Sequence, residues 1–418
     1  MLAYTVYSFD GRVKRHAEAF ADRGDLVDVI CLEERYLPHD GRVNVIRVPV
    51  VRYRGSSRRR YLSSYLAFFS RATALAMRLS RINSYDAVIV CTLPDFAILS
   101  ALPLRWFGSK IVLDMHDTMP ELFADKFPGR RGEAGAQILK VGERLCAGLA
   151  DRVLAVHELH AERLASVGVP RAKIRVVVNS PDPAIFKRYP IYRRADGFSL
   201  VCHGTLTRRL GLDNAIRAVA ILRRRLPHGP QLTIIGEGDH RQALEVLAKD
   251  LNLETAVRFK NGIPVHSLPT ELASATIGLA PYQASAATSL MLPVKVLEYA
   301  ALGIPTVCAR LQAVVRYFGD DALEYFKPGD PIGLADAIER IHHDPERRRR
   351  MVDRASQVAS ELEWGEQRKH LIEAVDSILG RESSGRETTP QASTTRRASE
   401  PFDRLKREDT ELMSQERR

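Results

Sequence analysis

Short apolar runs alternate with longer segments of helical periodicity along most of the chain. Most of these runs are uninterrupted, which is typical of strands buried on both faces of a parallel sheet. They predict strands in the first half at residues 2–6, 27–32, 43–48, 87–91, 111–115, 153–156 and 174–178. In the second half they predict strands at residues 199–203, 232–235, 257–260, 277–280 and 306–308. We therefore expect an α/β protein with two doubly wound domains that face each other across a cleft.

Prolines and charges interrupt this pattern between Asn179 and Gly197, before a new strand begins at Phe198. The break predicts a boundary between two Rossmann-like domains, at residues 1–190 and 191–379. From Gly380 the composition becomes polar and stays so to Arg418. We expect residues 380–418 to form a disordered polar tail.

The composition is that of a globular protein, with 418 residues of which 45% are hydrophobic and 27% charged. Five cysteines stand singly in apolar surroundings, which argues against a disulfide framework, a redox pair and a structural zinc site. No apolar run is long enough to span a membrane, and the chain opens without the pattern of a secretory leader. These features predict a cytoplasmic protein.

The formal net charge of +11 implies an acidic partner. Anionic lipid and a phosphate-rich substrate both fit this charge, whereas the absence of a nucleic-acid-binding motif argues against nucleic acid. The densest basic segment contains Arg52, Arg54, Arg58, Arg59 and Arg60, and it leads into an apolar stretch at residues 62–79. Such an element suits peripheral docking at the inner face of a membrane, and the alternative is a domain helix with solvated arginines.

Residues 292–307 have the layout of a ligand site, with a short apolar helix that ends at Gly303 and leads into a strand. Lys295 and Glu298 stand three residues apart and therefore share one face of this helix. Lys295 can meet a phosphate, while Glu298 can accept hydrogen bonds from a diol. The alternative is an ordinary helix with a capping lysine and a solvated glutamate.

Two glycine-bearing loops follow predicted strands and open helices. The first contains Gly11 and Arg12, which can offer backbone N–H groups and a cation to an anion, although a well-capped helix start has the same pattern. It lacks the GxGxxG spacing, so dinucleotide binding is not expected. The second contains Gly204, Thr205, Arg208 and Arg209, and a loop arginine beside a helix start suits a phosphate.

Two further loops add ring-binding and catalytic candidates. Gly236 and Gly238 follow a strand, and their missing side chains can let a flat ring approach the backbone. His116 follows another strand, beside Asp114 and Asp117, and can donate a hydrogen bond to a sugar hydroxyl or to a developing negative charge. The alternative is a histidine satisfied by these carboxylates. Their arrangement lacks the HExxH spacing, so no metal site is expected.

These pieces together resemble the glycosyltransferases group 1 family, family 4, whose members have the GT-B fold. The resemblance reaches about Leu379 and is carried by segments 7–15, 114–121, 179–182, 203–207 and 293–305. It implies transfer of a sugar from a nucleoside diphosphate sugar, with retention of anomeric configuration and without a metal or other cofactor. The donor would lie mainly on the second domain and the acceptor, a glycan or lipid-linked glycan of polysaccharide or lipopolysaccharide biosynthesis, mainly on the first.

The resemblance also implies roles for single residues. Glu298 would hold the ribose hydroxyls, Arg208 or Arg209 would grip the pyrophosphate, and His116 would contact the transferred sugar. Three positions depart from the family pattern, because Leu290 stands where the first motif acid is expected, and Thr205 and Leu210 replace a basic pair. The missing acid leaves two alternatives, a GT-B nucleotide-sugar epimerase and an inactive, membrane-docked GT-B scaffold.

Overall fold

The structure is a computed structural model that describes residues 1–32, 41–50, 58–187 and 197–381. The predicted domain boundary at residues 190 and 191 lies outside the described residues, as does the predicted tail beyond Arg381. Both sheets belong to one unit, Met1–Glu382.

The described strands are β1 Leu2–Ala3, β2 Val27–Leu32, β3 Val43–Val48, β4 Ala87–Cys91, β5 Lys110–Met115, β6 Arg152–Ala155, β7 Ile174–Val176, β8 Ser199–His203, β9 Gln231–Ile235, β10 Val257–Lys260, β11 Ile277–Ala280, β12 Thr306–Ala309 and β13 Glu324–Phe326. The helices are α1 Gly11–Arg23, α2 Arg58–Ser80, α3 Met119–Lys126, α4 Arg130–Leu149, α5 Glu158–Ser166, α6 Leu212–Arg225, α7 Arg241–Asp250, α8 Leu268–Leu272, α9 Ala286–Ser289, α10 Val294–Leu302, α11 Gln312–Phe318, α12 Pro331–His343, α13 Pro345–Glu361 and α14 Trp364–Leu379. Short 3₁₀ helices lie at Tyr7–Phe9, Asp95–Ser100, Leu102–Phe107, Arg171–Lys173, Arg208–Leu210 and Val265–Ser267.

The strands form two parallel sheets, as predicted. The first has the order β3-β2-β1-β4-β5-β6-β7 and the second the order β10-β9-β8-β11-β12-β13. In each sheet the chain proceeds outward in both directions from the first strand of that half, β1 or β8, which is typical of a doubly wound sheet. Ligands of such sheets bind at the carboxyl ends of the strands, so the loops after β1, β4, β5, β8, β9 and β11 are the places to examine.

Strand β13 is absent from the sequence-based prediction. Its first residue, Glu324, is buried, accepts a hydrogen bond from Arg340 on α12 and forms an ion pair with Arg347 on α13. A carboxylate inside the strand hides the apolar pattern, and the two arginines that make its burial tolerable come from later in the chain.

The last helix, α14, packs on the first sheet although it follows the second one along the chain. Leu371, Ala374 and Val375 belong to the same core as Val13 and Val112. The predicted second domain, residues 191–379, therefore includes a helix, α14, that packs in the core of the first half.

The aromatic face of α2 points inward, as the alternative of a domain helix predicts. Phe68 and Phe69 are buried, and Tyr4 packs against Tyr65 and Phe68 at ring-centroid distances of 4.6 and 5.3 Å. Aromatic packing of this kind anchors a helix to a domain. Of the five arginines predicted to meet lipid, Arg60 is exposed, Arg52 and Arg54 lie outside the described residues, and the side chains of Arg58 and Arg59 are not described. Within the described part of the chain, no helix is long and apolar enough to cross a bilayer.

Candidate functional site

Helix α10 carries Lys295 and Glu298 at the carboxyl edge of the second sheet. Pro293 precedes the helix, and Gly303 ends it with a φ of 72°, a conformation in which glycine has no Cβ to clash. Lys295 and Glu298 share one face, as predicted, and both are buried. Burial of two charged side chains on one helix is unusual, since each must find partners or a ligand.

Lys295 lies among polarisable groups. Its Nζ is 3.8 Å from Cys202 Sγ and 5.3 Å from the centroid of the Tyr282 ring. Burial acts to lower the pKa of the ammonium group, but Cys202, Tyr282 and Glu298 outweigh burial and the pKa ends above its ordinary value. Lys295 therefore stays charged at neutral pH, next to the exposed backbone of Gly204, and can meet a phosphate.

Glu298 faces the end of β8. Its Oε2 lies 3.1 Å from His203 Nε2, and the imidazole packs edge-on against Tyr299 at 5.2 Å between centroids. This nitrogen is buried, and its contact with Glu298 is not aligned as a hydrogen bond. Because a buried polar atom without an aligned hydrogen bond costs free energy, the arrangement favours a polar ligand group beside Glu298 and His203.

The glycines of the two loops after β8 and β9 bring those loops together. Gly204 and Gly236 have φ values of 117° and 147°. A Cβ on Gly236 would lie 1.9 Å from the carbonyl oxygen of Gly204, and a Cβ on Gly238 would lie 2.2 Å from that of Leu206. The neighbouring loop fills both spaces, so these two glycines are needed for close backbone packing, and the approach of a flat ring to them stays a prediction.

The arginine pair of the second-domain loop lies in the 3₁₀ helix Arg208–Leu210. Arg208 is exposed, as is Thr205, whereas Arg209 is half-buried and its Nε has no partner among the described residues. Burial raises the pKa of Tyr282 to about 12, and Lys295 and Arg209 both act against this rise. Arg209 thus adds a second positive charge near Tyr282, besides that of Lys295. Arg208 is exposed and does not contribute to this charge.

In the first half, Asp114 at the end of β5 is fully buried and contacts one arginine and two histidines. Arg12 approaches it with Nη2 at 2.7 Å and Nε at 3.1 Å, and also donates from Nη1 to the Val177 carbonyl at 2.9 Å. His116 Nε2 and His16 Nδ1 lie 3.0 and 3.2 Å from Asp114 Oδ2. Arg12 was predicted to meet an anionic ligand, but here its donors are committed to Asp114 and Val177, so it orders the site from within.

The charges of this group follow from its contacts. Burial acts to raise the pKa of Asp114, but Arg12, His116 and His16 outweigh it and hold that pKa well below its ordinary range. Asp114 in turn raises the pKa of His116 against the effect of burial. Burial and Arg12 lower the pKa of His16 to about 4. An ionised Asp114 can only accept, so His116 donates from Nε2, and its Nδ1, unpaired among the described residues, becomes an N–H donor on protonation.

Cys91, Asp114 and His116 are the three potential metal-ligating side chains that lie close together in the described part of the chain. They do not fit a metal ion, because the Arg12 guanidinium already occupies both oxygens of Asp114 and burial holds the pKa of the Cys91 thiol well above its ordinary value. A protonated thiol and a carboxylate that is paired with arginine are poor ligands.

Arg15 links the two halves electrostatically. Its Nη2 donates to Asn179 Oδ1 at 2.7 Å, and its guanidinium lies 5.6 Å from the centroid of Trp364. Burial lowers the pKa of Arg15 to about 10, while Glu298 is among the acids that act to raise it. Glu298 on α10 is therefore within electrostatic reach of the first loop, where a Cβ on Gly11 would lie 3.0 Å from Arg15 Nη1.

Direct hydrogen bonds also cross between the halves. His157 precedes α5, and its Nδ1 accepts from the backbone of His160 at 3.0 Å, which leaves Nε2–H to donate to the Leu290 carbonyl at 2.7 Å. Ser285 donates to Asp125 on α3 at 2.5 Å. The position of the missing first acid, Leu290, is thus fixed against the first half through its backbone.

Two family models match the chain over nearly all of this architecture. The model "Glycosyl transferase 4-like domain" matches residues 11–180, and the model "Glycosyl transferases group 1" matches residues 191–358. The chain belongs to the group 1 glycosyltransferases. The family resemblance seen in the sequence is therefore confirmed.

Curated relatives of this glycosyltransferase match part of its length. The GDP-mannose-dependent alpha-(1-6)-phosphatidylinositol monomannoside mannosyltransferase of Mycolicibacterium smegmatis is 35% identical over 31% of this chain and 35% of that protein. The putative colanic acid biosynthesis glycosyltransferase WcaL of Escherichia coli is 30% identical over 38% of this chain and 39% of that protein. The chain thus spans between a third and two fifths of the length of these relatives.

Solved structures confirm the GT-B fold. Sucrose-phosphate synthase from Thermosynechococcus elongatus superimposes with a TM-score of 0.74 at 17% identity, over 91% of this chain and 98% of that one. Anabaena HepE, solved in complex with UDP-glucose, superimposes with a TM-score of 0.69 at 16% identity, over 90% of this chain and 98% of that one.

Sequence reasoning missed His203 as a site residue and, although it named Asp114 beside His116, it missed the pairing of Asp114 with Arg12. His203 ends its strand directly before Gly204, so its position at the carboxyl edge was a usable signal. The partnership of Arg12 with Asp114 had no local signal, because 102 residues separate the two.

Proposed function

We propose that the chain transfers a sugar from a nucleoside diphosphate sugar to a glycan or lipid-linked glycan, with retention and without a bound metal ion. The observation that carries this proposal is the pair on α10, a buried ammonium and a buried carboxylate on one helix face at the carboxyl edge of the second sheet. A diphosphate and a ribose diol need these two kinds of partner, three residues apart.

The charge pattern supports a leaving diphosphate that is neutralised by side chains. The positive charges of Lys295 and Arg209 both act on Tyr282 in the second half, and Arg15 of the first half is within electrostatic reach of Glu298. Cations that are partly or fully buried stabilise negative charge that develops during a reaction more strongly than solvated ones do. His116, held by Asp114 through Nε2, presents Nδ1 to the sugar or to the acceptor hydroxyl.

The relatives support the substrate classes. The mannosyltransferase is named as dependent on GDP-mannose and acts on a phosphatidylinositol monomannoside, WcaL is assigned to colanic acid biosynthesis, and HepE binds UDP-glucose. We therefore propose UDP- or GDP-sugars as donors, a role in polysaccharide or lipopolysaccharide biosynthesis, and a cytoplasmic protein at the inner face of a membrane.

The proposal is tested by incubating the purified chain with UDP-, GDP-, ADP- and CDP-sugars in EDTA, with and without lipid-linked glycan acceptors. We expect nucleoside diphosphate release from one donor that depends on the acceptor, and much slower release by Lys295→Met. The exposed Glu245→Gln on α7 serves as a control with unchanged release. Isomerised nucleotide sugar without acceptor would instead identify an epimerase, and no product and no binding of any donor would favour an inactive scaffold.

A further inference from the structure

Helix α4 carries an apolar stripe that nothing in the described structure covers. Ile138, Val141, Leu145 and Leu149 are spaced by three or four residues and therefore lie on one face. Ile138 is 72% exposed, Val141 60% and Leu145 64%. Single exposed apolar residues are ordinary, but a continuous stripe along a helix marks an interaction surface.

Packing of the opposite face fixes the stripe toward the outside. A Cβ on Gly132 would lie 1.5 Å from the Phe127 carbonyl oxygen, and a Cβ on Gly135 would lie 2.5 Å from the Phe123 ring. Glu143 on the same side is buried and pairs with Arg163 of α5. Because the glycines let α4 approach α3 closely, the helix cannot rotate its apolar stripe inward without losing this packing.

An exposed tryptophan follows, along the chain, an arginine that bonds to the end of the stripe. Arg105 of the 3₁₀ helix Leu102–Phe107 donates from Nη2 to the Leu149 carbonyl at 2.6 Å and to Asp151 at 3.1 Å. The next residue, Trp106, is 83% exposed. Tryptophan is enriched where a protein meets the polar boundary of a bilayer, because its ring is apolar and its N–H can bond to water or head groups.

The charges on α4 indicate which kind of partner fits this surface. Arg130, Arg131 and Arg144 are exposed, and the exposed acid on this helix is Glu133. A second copy of the chain would bring the same positive residues against themselves, which costs free energy. A bilayer that contains anionic lipid offers an apolar interior to the stripe and negative charge to its flank.

We propose that the outer face of α4, with Trp106, docks this protein on an anionic membrane surface. This inference rests on the membrane location within the proposed function and replaces α2 with α4 as the docking helix. Helix α4 follows α3 after three residues, and α3 bears Asp125, which bonds to Ser285 of the second half. Docking through α4 therefore brings the lipid surface close to the loops of the first half.

The test is cosedimentation of the full chain with phosphatidylcholine vesicles that contain or lack phosphatidylglycerol. We expect binding to the anionic vesicles, and weakening by about tenfold or more for each side chain removed in the double variant Ile138→Gln/Leu145→Gln. Arg131→Gln and Arg144→Gln should each weaken it by about fivefold. Val246→Gln, an exposed apolar position on α7, is the matched control and should bind as the wild type does.

Two further readouts separate the outcomes. Glutamine is a good helix former, so the melting temperature of the double variant should equal that of the wild type. Anionic-vesicle binding that is absent, or equal in wild type and double variant, overturns the proposal, as does a wild-type dimer that the variant converts to monomer without an effect on vesicles. Nucleotide-sugar binding is measured in parallel by thermal shift, so a failed donor site leaves the vesicle result readable.

Discussion

Gly236 holds two loops at a separation that no other residue permits. Its φ of 147° lies in a region that residues with a side chain rarely adopt, and its Cα faces the carbonyl oxygen of Gly204. The loop of Gly204 lies beside Lys295, whose Nζ would be 3.7 Å from a Cβ on Gly204. Backbone close to backbone therefore sets the shape of the candidate donor site before any side chain contacts a ligand.

We predict that Gly236→Ala lowers the free energy of unfolding by about 3 kcal/mol or more, since strain and a clash at 1.9 Å with Gly204 add together. Gly142→Ala, in the middle of α4 with nothing within 4 Å, should instead raise it by about 0.5–1 kcal/mol. Urea unfolding of both variants checks this. Equal effects in the two variants would contradict the role of Gly236 as a packing contact.

At the scale of residues, the sequence was informative where the chemistry is local. Lys295, Glu298 and Gly303 lie within one short helix, so their spacing alone placed the two charges on one face and the helix end correctly. Arg12 shows the opposite case. Its partner, Asp114, lies on a distant strand, and a pattern along the chain cannot tell an arginine that pairs internally from one that awaits a phosphate.

The start of α5 joins the two halves through a histidine of fixed tautomer. His157 Nδ1 accepts from the His160 backbone, so its other nitrogen carries the proton that bonds to Leu290. Burial lowers the pKa of His157 to about 4. The folded protein thus holds this side chain neutral, whereas the unfolded chain protonates it near pH 6.5.

This difference in protonation should make the free energy of unfolding fall as the pH is lowered. Between pH 6.5 and 4 the unfolded state binds a proton at His157 that the folded state does not, so acidification costs stability. We predict that the advantage of the wild type over His157→Gln in free energy of unfolding shrinks by about 3 kcal/mol from pH 7 to pH 4. Denaturant unfolding across this range measures it, and parallel curves for the two proteins would refute it.

The comparison of two proteins is essential here, because other buried groups titrate too. Burial lowers the pKa of His16 to about 4, which adds the same sign. Burial raises the pKa of Asp95 to about 8, so its contribution to stability is lost as pH rises from about 4 to 8, the opposite sign. Wild type and variant both contain His16 and Asp95, so the contributions of these two groups cancel in the difference between the two free energies of unfolding.

At the scale of elements, apolar runs predicted strand positions closely and face orientation poorly. Six strands match their predicted bounds, namely β2, β3, β4, β8, β10 and β11. A strand that is buried on both faces consists of a few consecutive apolar residues, so its position can be recognised locally. The basic and aromatic stretch of α2 left open a lipid surface or a domain helix, and Tyr4 and Phe96 cover its aromatic side. Which side of a helix is covered depends on partners elsewhere in the chain.

For the whole molecule, the sequence predicted two doubly wound halves, and the return of α14 to the first sheet was the feature it did not give. Arg23 of α1 pairs with Asp376 of α14 at 2.8 Å, and Trp364 stacks on His16 at 5.7 Å. The helix that follows the second sheet along the chain is therefore held in the core of the first sheet.

The measurement that tests the donor site most directly is calorimetric titration with a nucleoside diphosphate and its 2′-deoxy analogue. The wild type should bind the ribonucleotide about tenfold to a hundredfold more tightly, because Glu298 accepts a hydrogen bond from the diol. Glu298→Gln should bind both ligands with nearly equal, weaker affinity, while the control Glu245→Gln behaves as the wild type does. If Glu298→Gln keeps the full preference for the ribonucleotide, the carboxylate on α10 is not the ribose partner and the assignment of the donor site to this helix is wrong.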